Sequence, residues 1–215
     1  MVCLMLEKIA KIDLKYIHKN HEFKIATWFR KLLAAIPNGE GLDRVKYLCF
    51  PHMHWFDESM RPAARINPSI ELMIACRRLR KVDMTLSVFK VAMRDMNTNW
   101  NFVPHSVSYL MDRYGLHALS ECVALREIYI DGCYVAPGRG GSPRHLDALE
   151  NLGKYIKKDF LVRGQSVRVE LVRRWGSWRG RMAGVILTLS PQELADVERQ
   201  IAINEGRLSL HRSQK

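Results

Sequence analysis

A chain of 215 residues with a hydrophobic share of 47% and five Trp is long enough to bury a real core and too apolar to be disordered. Its net charge of +12 comes with no uninterrupted apolar run near the ~20 residues that span a bilayer. The opening apolar stretch breaks at Glu7 and Lys8, too early for a secretory core and with no small-residue cleavage site behind it, so an intracellular chain, cytoplasmic or nuclear, is expected.

The first predicted helix is His21 to Ile36, with Asn20 as N-cap and an apolar stripe of Phe23, Ala26, Trp28, Phe29, Leu32, Leu33 and Ile36. "PNGEG" (Pro37 to Gly41) stops it, and "RVKYLCF" then alternates as a strand buried on at least one face. "PHMHWFDESMRPAAR" (Pro51 to Arg65) reads as a loop. Asn67 as N-cap and Pro68 at the first helical position begin a short helix, which hands over at "RRLRK" to a strand over Val82 to Leu86. An irregular, Met- and Asn-rich connection (Ser87 to Phe102) leads to two short helical pieces broken at Gly115, and these deliver the chain into a strand over Glu127 to Ile130.

One phrase occurs twice in this run. "ACRRLRKVDMTL" (Ala75 to Leu86) and "ECVALREIYIDG" (Glu121 to Gly132) both read Cys, two residues, Leu, a basic residue, one more residue, then an alternating run. A fainter copy begins at Asp43. From Val45 to Leu79 is 34 residues and from Leu79 to Leu125 is 46, so some units carry insertions. Helix-then-strand units in series imply parallel strands, and such spacing points to a solenoid-like stack rather than a closed nucleotide-binding fold. Val45, Leu79 and Leu125 are expected in the core, and Cys76 and Cys122 where a helix end leaves room for a small side chain. All five Cys (Cys3, Cys49, Cys76, Cys122, Cys133) are scattered without a CxxC pair and read as reduced, buried thiols rather than a zinc site.

"LMIACRRLRKVDMTL" and "ALSECVALREIYIDGC" resemble the cysteine-containing variety of leucine-rich repeats that occurs behind F-box segments. The chain as a whole is similar to short fungal proteins with F-box-like or leucine-rich-repeat-like segments; the match covers two good repeats and one poor one. The resemblance implies an α/β repeat scaffold that mediates protein contacts. An F-box, which would join a ubiquitin-ligase complex, needs an N-terminal helical segment rich in Leu and Pro, and Met1 to Asn20 is too short for one.

Past Pro137 the character changes. Ser142 and Pro143 begin a helix with Leu146, Leu149, Leu152, Ile156 and Phe160 on one side, ending at Gly164. "SVRVELVRRW" and "VILTL", the latter with Val185, Leu187 and Leu189 inward, predict an antiparallel hairpin. Ser190 and Glu193 make a capping box for a last helix bearing Leu194, Val197 and Ile201, with Gly206 as its end and a frayed tail after it. The expected organisation is therefore α/β: leucine-rich-repeat-like helix–strand units with a mostly parallel sheet over residues 1–136, a helix, β-hairpin and helix over 137–206 packed on the same domain, and a flexible tail over 207–215.

Three stretches carry possible chemistry. In "PHMHWFDE", His52, His54 and Asp57 could gather a metal with His105 or His117, against the plainer reading of a polar loop. "GRGGSPRH" (Gly138 to His145) precedes a helix but lacks a phosphate-loop pattern and reads as a connector, with Arg139 and Arg144 allowing weak anion contact. Between Lys154 and Arg181 nine basic residues face two acidic ones, a local +7. Within it "RRWGSWRGR" (Arg173 to Arg181) could stack on nucleobases, anchor a protein partner, or pack Trp175 and Trp178 internally. The residues singled out for partner or anion binding are Arg168, Arg173, Arg174, Trp178, Arg179 and Arg181.

No nucleophile–base motif links the polar residues, so no catalytic residue, cofactor or metal is assigned. The expectation is a non-catalytic protein-interaction scaffold, whose contact surfaces are the basic hairpin and the strand residues Lys81, Asp83, Glu127 and Tyr129. The alternative is a nucleic-acid-binding protein using the basic segment 154–181.

Overall fold

The structure, a computed structural model, describes residues 12–13, 22–53, 66–94, 102–133, 144–173 and 184–212. Its centre is a six-stranded sheet of β1 (Ile12–Asp13), β2 (Tyr47–Met53), β3 (Lys81–Ser87), β6 (Glu127–Cys133), β7 (Arg168–Arg173) and β8 (Val185–Ile186), in that spatial order. The first five strands are parallel, and β8 returns antiparallel on β7. Spatial order thus follows chain order, interrupted only by a two-stranded ribbon of β4 (Ala92–Arg94) and β5 (Phe102–Pro104) inserted between β3 and β6.

Strand alternation sorts side chains onto two faces. Leu48, Val82, Ile128 and Val169 form one buried cross-strand row, and Phe50, Met84, Ile130 and Leu171 the next. Helices supply the other half of that core. α1 (Glu22–Ala34) packs on α3 (Pro68–Ala75), and α3 on the 3-10 helix Leu116–Glu121. That helix and α5 (Val107–Tyr114) lie against α6 (Arg144–Val162), which covers β6 and β7 with Leu149, Leu152, Ile156 and Phe160. The one-turn helices α2 (Glu40–Arg44) and α4 (Val88–Val91) complete the connections, and α7 (Pro191–Arg212) lies along α6.

The two copies of the repeated phrase fold alike. Cys76 ends α3 at φ −83°, ψ 79°, and Cys122 ends the 3-10 helix at φ −76°, ψ 76°; both thiols are buried. Leu79 N–H donates to Cys76 O at 2.9 Å, and Leu125 N–H to Cys122 O at 3.0 Å, which turns each Leu inward. The next residues then dock onto a carbonyl just ahead of the neighbouring strand. Arg80 and Lys81 N–H both donate to Lys46 O, Arg126 and Glu127 N–H both to Arg80 O, and Arg168 N–H to Arg126 O. Val45, Leu79 and Leu125 are all buried, as expected.

A second tie joins the start of α3 to the end of α5. Asn67, fully buried, caps α3 by accepting from Ser69 N–H at 2.9 Å and donates its amide to Tyr114 O at 2.8 Å. Gly115, at φ 64°, lets the chain turn directly against Asn67, where a Cβ would lie 3.1 Å from the Asn67 Cβ.

The expected elements Asn67–Ala75, the break at Gly115, the α6 stripe and the antiparallel return β7–β8 are all present, and Val82–Leu86 and Glu127–Ile130 are adjacent parallel strands. Several details differ. α1 begins at Glu22; Ala26 and Leu33 are buried, but Trp28 and Leu32 are exposed, because α3 covers only one side of the helix. β2 runs on through Met53, so Pro51 and His52 belong to a strand and not to a loop. The segment read as irregular holds β4 and the first residue of β5, whose Val103 and Pro104 were expected at the start of the helical pieces. Val185 and Leu194 are exposed: β8 is a two-residue edge, and α7 turns Val197 inward instead. Gly206 does not end α7, which continues to Arg212; a glycine costs a helix only about 1 kcal/mol relative to Ala and does not break it.

Candidate functional site

Among the described residues the helices lie on one side of the sheet, and none of them covers the other face along four strands. Its side chains are set by register. Tyr47, Lys81, Glu127 and Arg168 form one cross-strand row, and Cys49, Asp83, Tyr129 and Glu170 the next. Apart from exposed Arg168, all of these are half-buried, whereas the residues beneath them on the helix side are fully buried. Toward the strand ends the face closes, and Asp131 and Val172 are buried.

The polar groups of the face are tied to one another. Lys81 Nζ lies 3.9 Å from the centroid of the Tyr129 ring and 5.3 Å from that of Tyr47, a cation between two aromatic rings. The Tyr47 hydroxyl donates to Asp83 Oδ2, and the Tyr129 hydroxyl to Glu127 Oε2 at 3.1 Å. Arg168 pairs with Glu170 at 2.9 Å. Burial, then the bond to Asp83, pushes the Tyr47 phenol far above its ordinary pKa. Burial and the Glu127 bond raise Tyr129 in the same direction. Both phenols are therefore donors at neutral pH and not bases. Gly184 sits against Glu170 so closely that a Cβ there would lie 1.8 Å from Glu170 Oε1, and any side chain would displace that carboxylate.

The strand residues expected from alternation, Lys81, Asp83, Glu127 and Tyr129, are thus brought together on adjacent strands. Tyr47 and Glu170 complete the face; each is outward in its own strand's alternation, but only register places it beside the others. The basic segment fares differently. Arg168 is exposed on the edge of this face, Arg173 ends β7, and Arg174, Trp178, Arg179 and Arg181, with Trp175, lie outside the described residues. Its described cations are engaged: Lys154 with Glu150, Lys158 with Glu193, Arg163 with Asp159, Arg168 with Glu170, and Lys157 donating to Leu187 O at 2.7 Å. Part of the local positive charge is therefore offset by acids that lie outside the segment in sequence.

For the possible metal ligands, His54 and Asp57 lie outside the described residues, and only the backbone of His52 is described, in β2. His105 stacks on Tyr109 and His117 pairs with Asp112 at 2.8 Å. Among the described residues no three His, Cys, Asp or Glu side chains are placed to hold a metal ion, and no helix is long and apolar enough to cross a membrane. The Gly-rich stretch before α6 lies outside the described residues, the helix starting at Arg144. A shallow groove of about 420 Å³ runs between α6 and α7, lined by Tyr155, Lys158, Asp159, Asp196 and Gln200 among others. Compared with family models, curated proteins and solved structures, the chain matches none.

Proposed function

We propose that this chain is a non-catalytic protein-interaction scaffold of leucine-rich-repeat-like units, and that it binds through the open face of its parallel sheet. One observation carries the reading. Four parallel strands in chain order present Tyr47, Lys81, Asp83, Glu127, Tyr129 and Glu170 on a face no described helix covers. Tyr and charged side chains that are half-buried and mutually oriented give binding area at small entropic cost. The matching joints at Cys76 and Cys122, each followed by an inward Leu and a shared carbonyl acceptor, support the repeat-like reading. The phenols held protonated suit recognition better than proton abstraction.

A photoreactive phenylalanine analogue in place of Tyr129, compared with one at Glu198 on exposed α7, tests the surface. Discrete protein adducts from position 129 that are absent from position 198 are expected in cells. Adducts from both positions alike, or from neither, remove the open face as the binding surface.

The runner-up reading, nucleic-acid binding through the basic segment 154–181, is supported by its +7 and weakened by the ion pairs of Lys154, Lys158, Arg163 and Arg168. It requires affinity for a labelled oligonucleotide at low salt that falls steeply with added salt and with replacement of Arg173, Arg174 and Arg179.

A further inference from the structure

The run "RRLRK" (Arg77 to Lys81) and the arginine of "LREIY" (Leu125 to Tyr129) meet at one edge of the sheet. Lys46, Arg80 and Arg126 each stand one residue ahead of their strand. The bonds from Arg80 N–H to Lys46 O and from Arg126 N–H to Arg80 O place the three at one level, at the amino ends of β2, β3 and β6. Neighbouring strands lie about 4.8 Å apart, so the row is about 10 Å long. Arg77 and Arg78 add two cations in the joint that leads into β3, and all five side chains are exposed.

This edge is not neutralised from within. Lys46, Arg77, Arg78 and Arg80 enter no ion pair among the described residues, and Arg126 is bonded to a neutral group, the Leu125 carbonyl, at 3.1 Å. The same stretches hold three carboxylates, Asp43, Glu121 and Glu127. None of them is ion-paired with the five cations, and Glu127 already accepts the Tyr129 hydroxyl. Five cations against three carboxylates leave the edge positive, on a chain of net +12 that draws anions to it from a distance. The described cations of segment 154–181 differ in just this respect, since acids or a carbonyl hold them.

Four of the five are arginines, whose planar fork matches phosphate oxygens two at a time. Even spacing from strand to strand suits a polymer whose charges are themselves evenly spaced. The ring next in sequence, Tyr47, is half-buried and bonded to Asp83, so the row offers contact to a backbone without a platform for stacking bases. We propose that the amino edge of the parallel sheet is a contact surface for the phosphodiester backbone of duplex nucleic acid, independent of base sequence. The surface is separate from the open face and from segment 154–181, so it stands or falls independently of both.

A short labelled DNA duplex of arbitrary sequence, titrated with the full chain across a range of salt and read by fluorescence anisotropy, tests it. Binding is expected at low salt, with log affinity falling linearly in log salt. Lys46→Gln, Arg80→Gln and Arg126→Gln together should weaken binding by about tenfold or more and flatten that slope by about 3. Lys46→Arg, Arg80→Lys and Arg126→Lys keep the charge and should keep the slope, which separates lost contacts from lost folding. Lys90→Gln, Arg113→Gln and Arg199→Gln remove the same charge from α4, α5 and α7 and should change the slope by less than about 1. No duplex binding, or an equal loss in the helix variant, overturns the proposal. So does a loss with Arg173→Gln, Arg174→Gln and Arg179→Gln but not with the edge variant, which favours the basic segment instead. A Glu-rich peptide of the duplex's charge that binds as tightly also overturns it, by making the edge a site for acidic proteins.

Discussion

The same four strands make two surfaces of opposite kind. On the helix side every row is apolar and dry, from Leu48 to Val169 and from Phe50 to Leu171. On the other side the intervening rows hold a lysine between two tyrosines and a set of carboxylates, all half-buried. Shifting any strand by one residue would exchange the two, placing Asp83 in the core and Val82 in water, so burial holds the pairing register. The difference teaches that stability and, on the proposed reading, recognition are assigned to alternate residues of one segment and can be altered separately.

Substitutions on the two sides test that separation. Leu125→Ala, on the dry side at a repeated joint, should lower unfolding free energy by about 2–5 kcal/mol in chemical denaturation, since a buried methyl-rich side chain is replaced by a cavity. Asn67→Ala removes a helix cap and the tie to Tyr114 together, and about 2 kcal/mol is expected in the same assay. Lys81→Ala on the other side should cost under about 1 kcal/mol in that assay. A loss at Lys81 as large as that at Leu125 would break the comparison.

Two titration experiments sharpen it further. Burial pushes the Cys76 and Cys122 thiols up to about 12. Between the ordinary thiol value near 9 and that level, the unfolded chain ionises and the folded one does not, so stability falls as pH rises. Alkylation of Cys76 and Cys122 at pH 8, followed by mass spectrometry, should therefore track unfolding, whereas Cys49 on the open side should react faster. Glu193 gives the smallest expected effect, from a carboxylate at a helix start. The Ser190 backbone N–H holds its pKa down at about 2, and Lys158 adds to this. Its contribution is complete above the ordinary value of 4.5 and is lost as pH falls toward 2, so Glu193→Gln should flatten the acid limb of the melting profile.

Much of the frame was legible in the sequence because it is written in local terms. A Cys three residues before a Leu, then alternation, marks a joint whose hydrogen bonds lie within a few residues, and Asn67-Pro68 and Ser190-Glu193 are caps of the same local kind. What escaped depends on distant neighbours. Trp28 and Leu32 share an apolar stripe with Leu33, yet only one side of α1 meets α3. Val185 alternates like a core residue but lies in a two-residue edge strand. At the open face, alternation identifies Lys81 and Tyr129 one strand at a time. That Lys81 lies over the Tyr129 ring, and that Glu170 flanks it, follows from a register between strands more than 40 residues apart in sequence.

Because the parallel strands are stacked in the order in which they are translated, the sheet needs no late insertion. β2 can template β3, and β3 can template β6, while the remaining chain is still being synthesised. Each docking step uses a carbonyl already in place, from Lys46 to Arg80 to Arg126, and each new segment leaves one fresh strand edge exposed. Growth ends when β8 folds back antiparallel on β7. A chain built this way can fold vectorially from its N-terminal end, and the stretch most exposed to mispairing during synthesis is whichever strand was made last.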